Sequence, residues 1–333
     1  MDMRKVQEMG GGTLLVSLPK EWTKKNSLVK GSILTFEEAQ GGKLLIYPAG
    51  NEERESEQAI IEYNAKRMKH LVNMITGTYL LGVDTMKIQG KDRIKYDDRE
   101  LIKKAIRQLV GLEIVEEDSK SITTQFLIES KSLDIRKMIR RMHMIAKGMF
   151  HDAVVSTIES DMHLSKVVTE RDEEVDRLYF FLVRLIRSAA QDARLAARFK
   201  MTQIDCLDFR VATNLVEGIG DISVEMVKVI ETLPLGDLDE KVKNIFISTS
   251  EILEEALDIS LNGFLGGGIE EVRMVPDLID RVSENLRLLE TNFTSASPDL
   301  TRSLRGTSSA MDKISRYCRD LADLSGPIII RKN

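Results

Sequence analysis

The chain is poor in cysteine, with only Cys206 and Cys318 among 333 residues, far apart and outside any C-x-x-C motif. That excludes a disulfide framework, and both residues are expected to be free thiols packed between helices. Long apolar runs are missing too. No stretch approaches the roughly 18 apolar residues needed to cross a bilayer, so membrane insertion is not expected. The opening MDMRKVQEMGGG has no apolar segment of secretory-signal length, which points to the cytoplasm. Neither sign of charge dominates: 48 basic residues against 53 acidic leave −5. A global polyanion-binding footprint is therefore absent, and any contact with nucleic acid must be local.

Catalytic signatures are also absent. His70, His143, His151 and His163 form neither H-E-x-x-H nor E-x-x-H, so a zinc hydrolase or ferritin-type oxidase finds little support. His143 and His151 lie eight apart on one helix and are read as structural. The triple glycine Gly10-Gly11-Gly12 lacks G-x-x-x-x-G-K-[ST] and reads as a hairpin turn, and no nucleophile motif is present. The expectation is a regulator, not an enzyme.

What is present divides into four stretches. Up to about residue 50, short β-like runs (Val6 to Met9, Thr13 to Leu18, Ser32 to Glu37, Lys43 to Tyr47) surround one helix, Lys20 to Asn26, with Pro19 at its start. A core of this size is marginal alone, so pairing with a second copy is expected. Local positive charge gathers here in Arg4, Lys5, Lys20, Lys24, Lys25 and Lys30. Asn51 to Glu57 reads as a linker. Residues 51–130 form an α+β connecting unit, with a helix over Ala59 to Ile75, a strand over Tyr79 to Ile88, a helix over Asp98 to Val110, and strands over Leu112 to Glu116 and Ser121 to Ile128.

From Leu133 onward the apolar periodicity is helical, interrupted at Pro234-Leu235-Gly236, Gly266-Gly267-Gly268 and Ser295-Ala296-Ser297-Pro298. It yields three helices over 131–235 (133–158, 163–191, 203–232) and three over 236–333 (239–263, 269–293, 299–325). The halves correspond: Asp176-Arg177-Leu178 is echoed by Asp280-Arg281-Val282, and Gly220-Asp221-Ile222 by Arg319-Asp320-Leu321, an internal duplication.

In TNLVEGIGDISVEM, Val211, Leu215, Ile219, Ile222 and Met226 recur at three and four residues as one face, and Asn214, Glu217, Asp221 and Glu225 hold the other. Glu217 and Asp221 are i and i+4, one turn apart, able to hold a cation between them; Asp172 and Asp176 repeat the spacing in the preceding helix. An acidic stripe opposite an apolar one is also what a solvated helix face looks like. Gly218 and Gly220 cost about 1 kcal/mol each inside a helix, so something is expected to approach closely there.

RDEEVDRL and NLVEGIGDIS resemble the PhoU family of phosphate-signalling proteins over roughly Leu133 to Leu324. The resemblance implies two three-helix repeats binding multinuclear iron or zinc clusters, with Asp172, Asp176, Glu217 and Asp221 as ligands. In the second half Asp320 keeps the helix-three aspartate, Arg316 stands at the matching glutamate, and Asp280 keeps the helix-two place. Asp277, Asp280, Glu284 and Asp320 form the weaker set, and Arg316 is placed to neutralise Asp320.

The first 48 residues, through Arg4-Lys-Val-Gln-Glu-Met-Gly10, Leu-Pro19 and Gly31, resemble the SpoVT/AbrB swapped-hairpin domain. That family implies an interlocked homodimer binding DNA through Arg4, Lys5 and Lys24, and the local positive charge adds Lys20 and Lys25 as candidate DNA contacts. The combination resembles archaeal phosphate-uptake regulators, with a phosphate transporter's ATPase or a sensor kinase as implied partner. The alternative is an adaptor that pairs subunits and never touches DNA. The expected fold is mainly α: a swapped-hairpin β module, a small α+β segment, then two three-helix-bundle repeats.

Overall fold

A computed structural model describes residues 3–39, 42–49, 58–129, 133–232, 238–268, 270–292 and 298–326. The expected linker Asn51 to Glu57 and most of the breaks at 234–236 and 295–298 lie outside them. The chain forms two compact units, Met1–Glu57 and Gln58–Asn333, and the fold is mainly α behind a β-rich N-terminal module.

In the first unit β1 (Gln7–Met9) pairs antiparallel with β2 (Thr13–Leu15) across the glycine turn, and β3 (Leu34–Ala39) pairs with β4 (Lys43–Pro48). Between the two ladders sits α1 (Lys20–Lys25), preceded by Pro19, and Asn26 closes it by donating Nδ2 to the Trp22 carbonyl at 2.8 Å. No described side chain of this unit is buried. Val6, Met9, Leu14, Val16, Ile33 and Phe36 are all more than half exposed or at the half mark. Two-stranded ladders with no buried face are marginal in water.

The second unit opens with an α+β layer. β5 (Gln58–Glu62) runs parallel to β6 (Thr85–Gln89), which pairs antiparallel with β8 (Ser121–Phe126), itself hairpinned to β7 (Leu112–Glu117), giving the order β5-β6-β8-β7. α2 (Met68–Leu80) and α3 (Tyr96–Arg107) supply Leu71, Ile75, Ile102 and Ile106 to the core they share with Ile61, Met86, Ile88 and Ile122.

Two sequence expectations are corrected here. Ala59 to Ile75 is not one helix: Gln58–Glu62 is a strand, and α2 starts only at Met68 after a single 3₁₀ turn at Ala65–Arg67. Tyr79 to Ile88 is not one strand: Tyr79 and Leu80 finish α2, and Gly82 at φ 87° turns the chain before β6. Short apolar runs carry no period that separates a buried helix end from a strand.

The remainder is helical: α4 (Ile135–Glu159), α5 (Met162–Gln191), the short α6 (Ala193–Arg198), α7 (Gln203–Thr232), α8 (Glu240–Phe264), α9 (Val275–Asn292) and α10 (Pro298–Asp323). Aspartates start four of them. Asp134, Asp161, Asp192 and Asp239 each accept first-turn backbone N–H groups, satisfying donors that have no intrahelical partner. Thr202 and Asp205 cap α7 reciprocally.

α4, α5 and α7 pack together, as do α8, α9 and α10, and the two triplets meet through α4 on α8 and α7 on α10. One continuous core therefore runs through both halves, from Ile139 and Phe150 to Phe246, Val282 and Ile314. Cys206 and Cys318 are free and buried within it. Across the α4/α8 seam Asp258 accepts from His143 Nε2 at 2.9 Å and Lys147 Nζ at 2.6 Å, and Glu254 pairs with His151 Nδ1 at 2.9 Å. The two histidines expected to share a structural face do so by binding α4 to α8.

Candidate metal centre

α5 and α7 lie side by side, and Gly220 of α7 faces Val175 and Asp172 of α5. A Cβ built there would lie 3.4 Å from Val175 and 3.5 Å from Asp172 Oδ1. The i, i+4 spacing on each helix then sets Asp172 and Asp176 of α5 opposite Glu217 and Asp221 of α7.

Every pair among these four carboxylates repels. Burial, then Asp176 and Asp221, raises Asp172 from 3.8 to about 6. Burial, then Asp221, Asp176 and Asp172, raises Glu217 from 4.5 to about 7. Asp176 is raised by burial and then by Asp221, and Asp221 by burial and then by Glu225. Nearby cations oppose this only weakly: Lys228 pulls on Asp172 and Asp221, and Arg210 on Glu217. Arg210 is itself engaged, donating Nη2 to Tyr179 Oη at 2.9 Å, while that hydroxyl donates to Asn214 Oδ1 at 3.4 Å.

Half-buried carboxylates gathered without a compensating cation are electrostatically unfavourable, and a bound cation would reverse the sign. The donor set is oxygen only, which suits hard, oxygen-seeking cations, whereas structural zinc sites favour histidine and cysteine. The side chains are not closed on one point: among the described residues no group of three or more His, Cys, Asp or Glu is arranged to hold an ion. The chemistry of the donors fits a metal, and a ligand shell would require the rotamers to draw inward.

The close approach expected at the glycines is found at one of them. At Gly218 it is the Tyr317 ring of α10, whereas at Gly220 the neighbours, Val175 Cγ1 and Asp172 Oδ1, stand at ordinary contact distance. The apolar face of α7 holds at Leu215, Ile219, Ile222 and Met226, all buried, but Val211 is 47% exposed and leaves that face.

In the second half Asp277, Asp280 and Glu284 on α9 and Asp320 on α10 are all exposed. Arg316 does not neutralise Asp320 as expected; it pairs with Asp312, one turn earlier on α10. In the N-terminal unit Arg4, Lys5, Lys20, Lys24 and Lys25 are exposed.

Sequence reasoning missed Arg184. Eight residues beyond Asp176 on α5 and only 3% exposed, it donates Nη1 to the carbonyls of Tyr79 (2.7 Å) and Val83 (3.0 Å), and Nη2 to Gly82 O (3.3 Å) and Asp84 Oδ1 (3.1 Å). Its guanidinium also lies 4.0 Å from the Phe126 ring centroid. α5 thus carries the acids at one level and locks the α+β layer at another. The signal was one charge inside the apolar run FFLVRLI.

Residues 139–230, which contain all four carboxylates, match the family model of the PhoU domain. The chain carries a PhoU-like domain. Residues 8–54 match the model of the antidote-toxin recognition protein MazE, a bacterial antitoxin. The PhoU-like domain thus covers α4, α5 and α7, and the MazE/AbrB-like module covers most of the first unit. No curated protein matches the chain.

Proposed function

We propose that the chain is a phosphate-responsive regulator of phosphate uptake. Its N-terminal module holds two copies together and binds DNA, making it a transcriptional regulator, and its helices sense through a metal, iron or zinc, at Asp172, Asp176, Glu217 and Asp221. The observation that carries this reading is that those four acids lie near enough to repel one another across α5 and α7 inside the PhoU-matching residues. Asp172 and Glu217 would supply oxygens from opposite helices, and the ion would supply a positive centre that ties α5 to α7. A partner such as a phosphate transporter's ATPase or a sensor kinase would read the helical surface.

Support for the DNA-binding half is the set of exposed cations on a module whose apolar side chains are uncovered. Paired with a copy, it would present Arg4, Lys5, Lys20, Lys24 and Lys25 twice, giving phosphate contacts with strong salt dependence. A gel-shift titration on the protein's own upstream DNA, run beside elemental analysis of the purified protein, tests both halves. Absence of a shift at low salt rejects DNA binding; absence of stoichiometric metal, even after incubation with iron or zinc, rejects the metal centre.

The adaptor reading is favoured by one observation. Gly11, at the tip of the β1–β2 turn, has φ 95°, a conformation that disfavours a side chain, so the tip presents none to a base edge. If the module only pairs subunits, replacing Lys24 and Lys25 by alanine leaves the phosphate response intact.

A further inference from the structure

The α+β layer contains an open cleft of about 750 Å³ between the start of α3 and the β7–β8 turn, lined by Arg93, Lys95, Tyr96, Arg99, Glu117 and Asp118 among others. Its walls are braced before any ligand arrives. Gly90 N donates to Lys120 O at 2.8 Å, Ile94 N to Ser119 O at 3.0 Å, and Lys120 Nζ to Lys91 O at 3.2 Å. Ile94 is buried, so the backbone between Arg93 and Lys95 is anchored.

The acids of the lining are already committed. Arg99 Nη1 donates to Glu117 Oε1 at 2.6 Å, its Nη2 to the carbonyls of Asp118 and Ser119 at 2.8 and 3.2 Å, and Lys103 adds a second cation to Glu117 at 3.1 Å. The Asp118 carboxylate accepts from Lys120 N, Ser121 N and Ser121 Oγ. Arg93 and Lys95, by contrast, have no ion-pair partner among the described residues. Beside them Tyr96 is 76% exposed. A rigid frame therefore offers two unpaired cations and one bare aromatic ring on the same wall.

We infer that this cleft is an effector site for a nucleoside phosphate, with Tyr96 stacking on the base and Arg93 and Lys95 holding the phosphate. The volume lies within the range of small-molecule sites. Arginine matches phosphate oxygens bidentately, lysine adds a point charge, and an exposed aromatic is the usual platform for a base. A bare phosphate ion would leave both the ring and most of the cleft unused. The inference does not depend on the metal or DNA reading.

Isothermal titration of the intact protein with AMP, adenosine and inorganic phosphate tests it. AMP should saturate, binding roughly tenfold or more tightly than either fragment, and Tyr96→Ala or the Arg93→Ala/Lys95→Ala pair should each weaken it by about tenfold or more. Tyr96→Phe, which keeps the ring, should retain binding and shows that the ring, not the hydroxyl, is used. All these side chains are exposed, and circular dichroism checks that the variants fold. The inference is overturned if AMP fails to saturate in the millimolar range, if the Tyr96→Ala and Arg93→Ala/Lys95→Ala variants bind it like the parent, or if phosphate alone binds as tightly as AMP.

Discussion

Gly218 of α7 stands against the ring of Tyr317 on α10: a Cβ built at the glycine would lie 2.7 Å from Tyr317 Cε2 and 3.2 Å from its hydroxyl. The offset between these two positions is the one that separates Asp221 from Asp320. α7 and α10 therefore meet with a glycine on one and an aromatic on the other, at positions that the expected duplication would make equivalent. The space that α7 gives up is the space that Tyr317 of α10 fills.

Alanine at the two glycines of α7 should act with opposite sign. Either substitution gains about 1 kcal/mol of helix propensity. At Gly220 the new methyl meets only ordinary contacts, so Gly220→Ala should raise the melting midpoint. At Gly218 it collides with the Tyr317 ring, and overpacking of this kind costs about 1–3 kcal/mol. Gly218→Ala should therefore melt below Gly220→Ala and below the parent. The double variant Gly218→Ala/Tyr317→Ala should lose the collision, which a double-mutant cycle would measure.

Arg184 should be the most sensitive single position in the seam between the α+β layer and the helices. Removing it leaves the Tyr79, Val83 and Gly82 carbonyls and the one-third-exposed Asp84 carboxylate without this donor, and leaving a buried polar group unsatisfied costs about 1–3 kcal/mol. Arg184→Met should destabilise by that order in urea titration. Arg184→Lys should rescue little, because an ammonium cannot present the planar fork that reaches three carbonyls and a carboxylate. A rescue by lysine as complete as the parent would reject this account of the seam.

The helices were legible because their signals are local and redundant. Apolar residues at three and four and a glycine break at 266–268 mark the same elements. The acidic pairs were legible for the same reason, since i, i+4 spacing on a helix fixes a face. Gln58–Glu62 was not, because its five residues carry a strand pattern that runs without a break into an apolar helical spacing. The end of α2 was not, because Tyr79 is held by tertiary contacts: it is fully buried and donates its hydroxyl to Val110 O at 2.8 Å. Arg184 lay hidden because its partners are backbone carbonyls a hundred residues earlier, which no pattern of side chains announces.

Metal-free protein should lose stability as the pH rises from about 4.5 to about 7. Asp172 and Glu217 titrate near 6 and 7 in the fold, against ordinary values of 3.8 and 4.5. Between those limits the folded state binds more protons than the unfolded chain, so the slope of unfolding free energy with pH is negative. Below the ordinary values the cost of burying and crowding these charges is absent; above about 7 it is complete. Glu217→Gln should therefore stabilise the chelator-treated protein at pH 8 and leave it little changed at pH 4, as thermal melts at the two pH values would read. In the metal-loaded protein the same substitution should reduce retained metal. A flat profile in the metal-free parent would mean that neither burial nor the neighbouring acids raise these carboxyls.

The salt dependence of DNA binding should report how many lysines of the N-terminal module touch phosphate and whether the module is paired. Each phosphate contact contributes about 0.9 to the slope of log affinity against log salt. In a two-fold pair every substitution acts twice, so Lys24→Ala should reduce the slope by about 1.8 and weaken all duplex sequences alike. Ile33→Asp supplies the control for pairing, because Ile33 is 74% exposed in the single chain and a carboxylate there would oppose its burial against a second copy. Light scattering should then show a monomer, and DNA affinity should fall much further than the loss of one contact allows. If Ile33→Asp stays dimeric and Lys24→Ala changes the slope by only half the expected amount, the two copies do not share one DNA face.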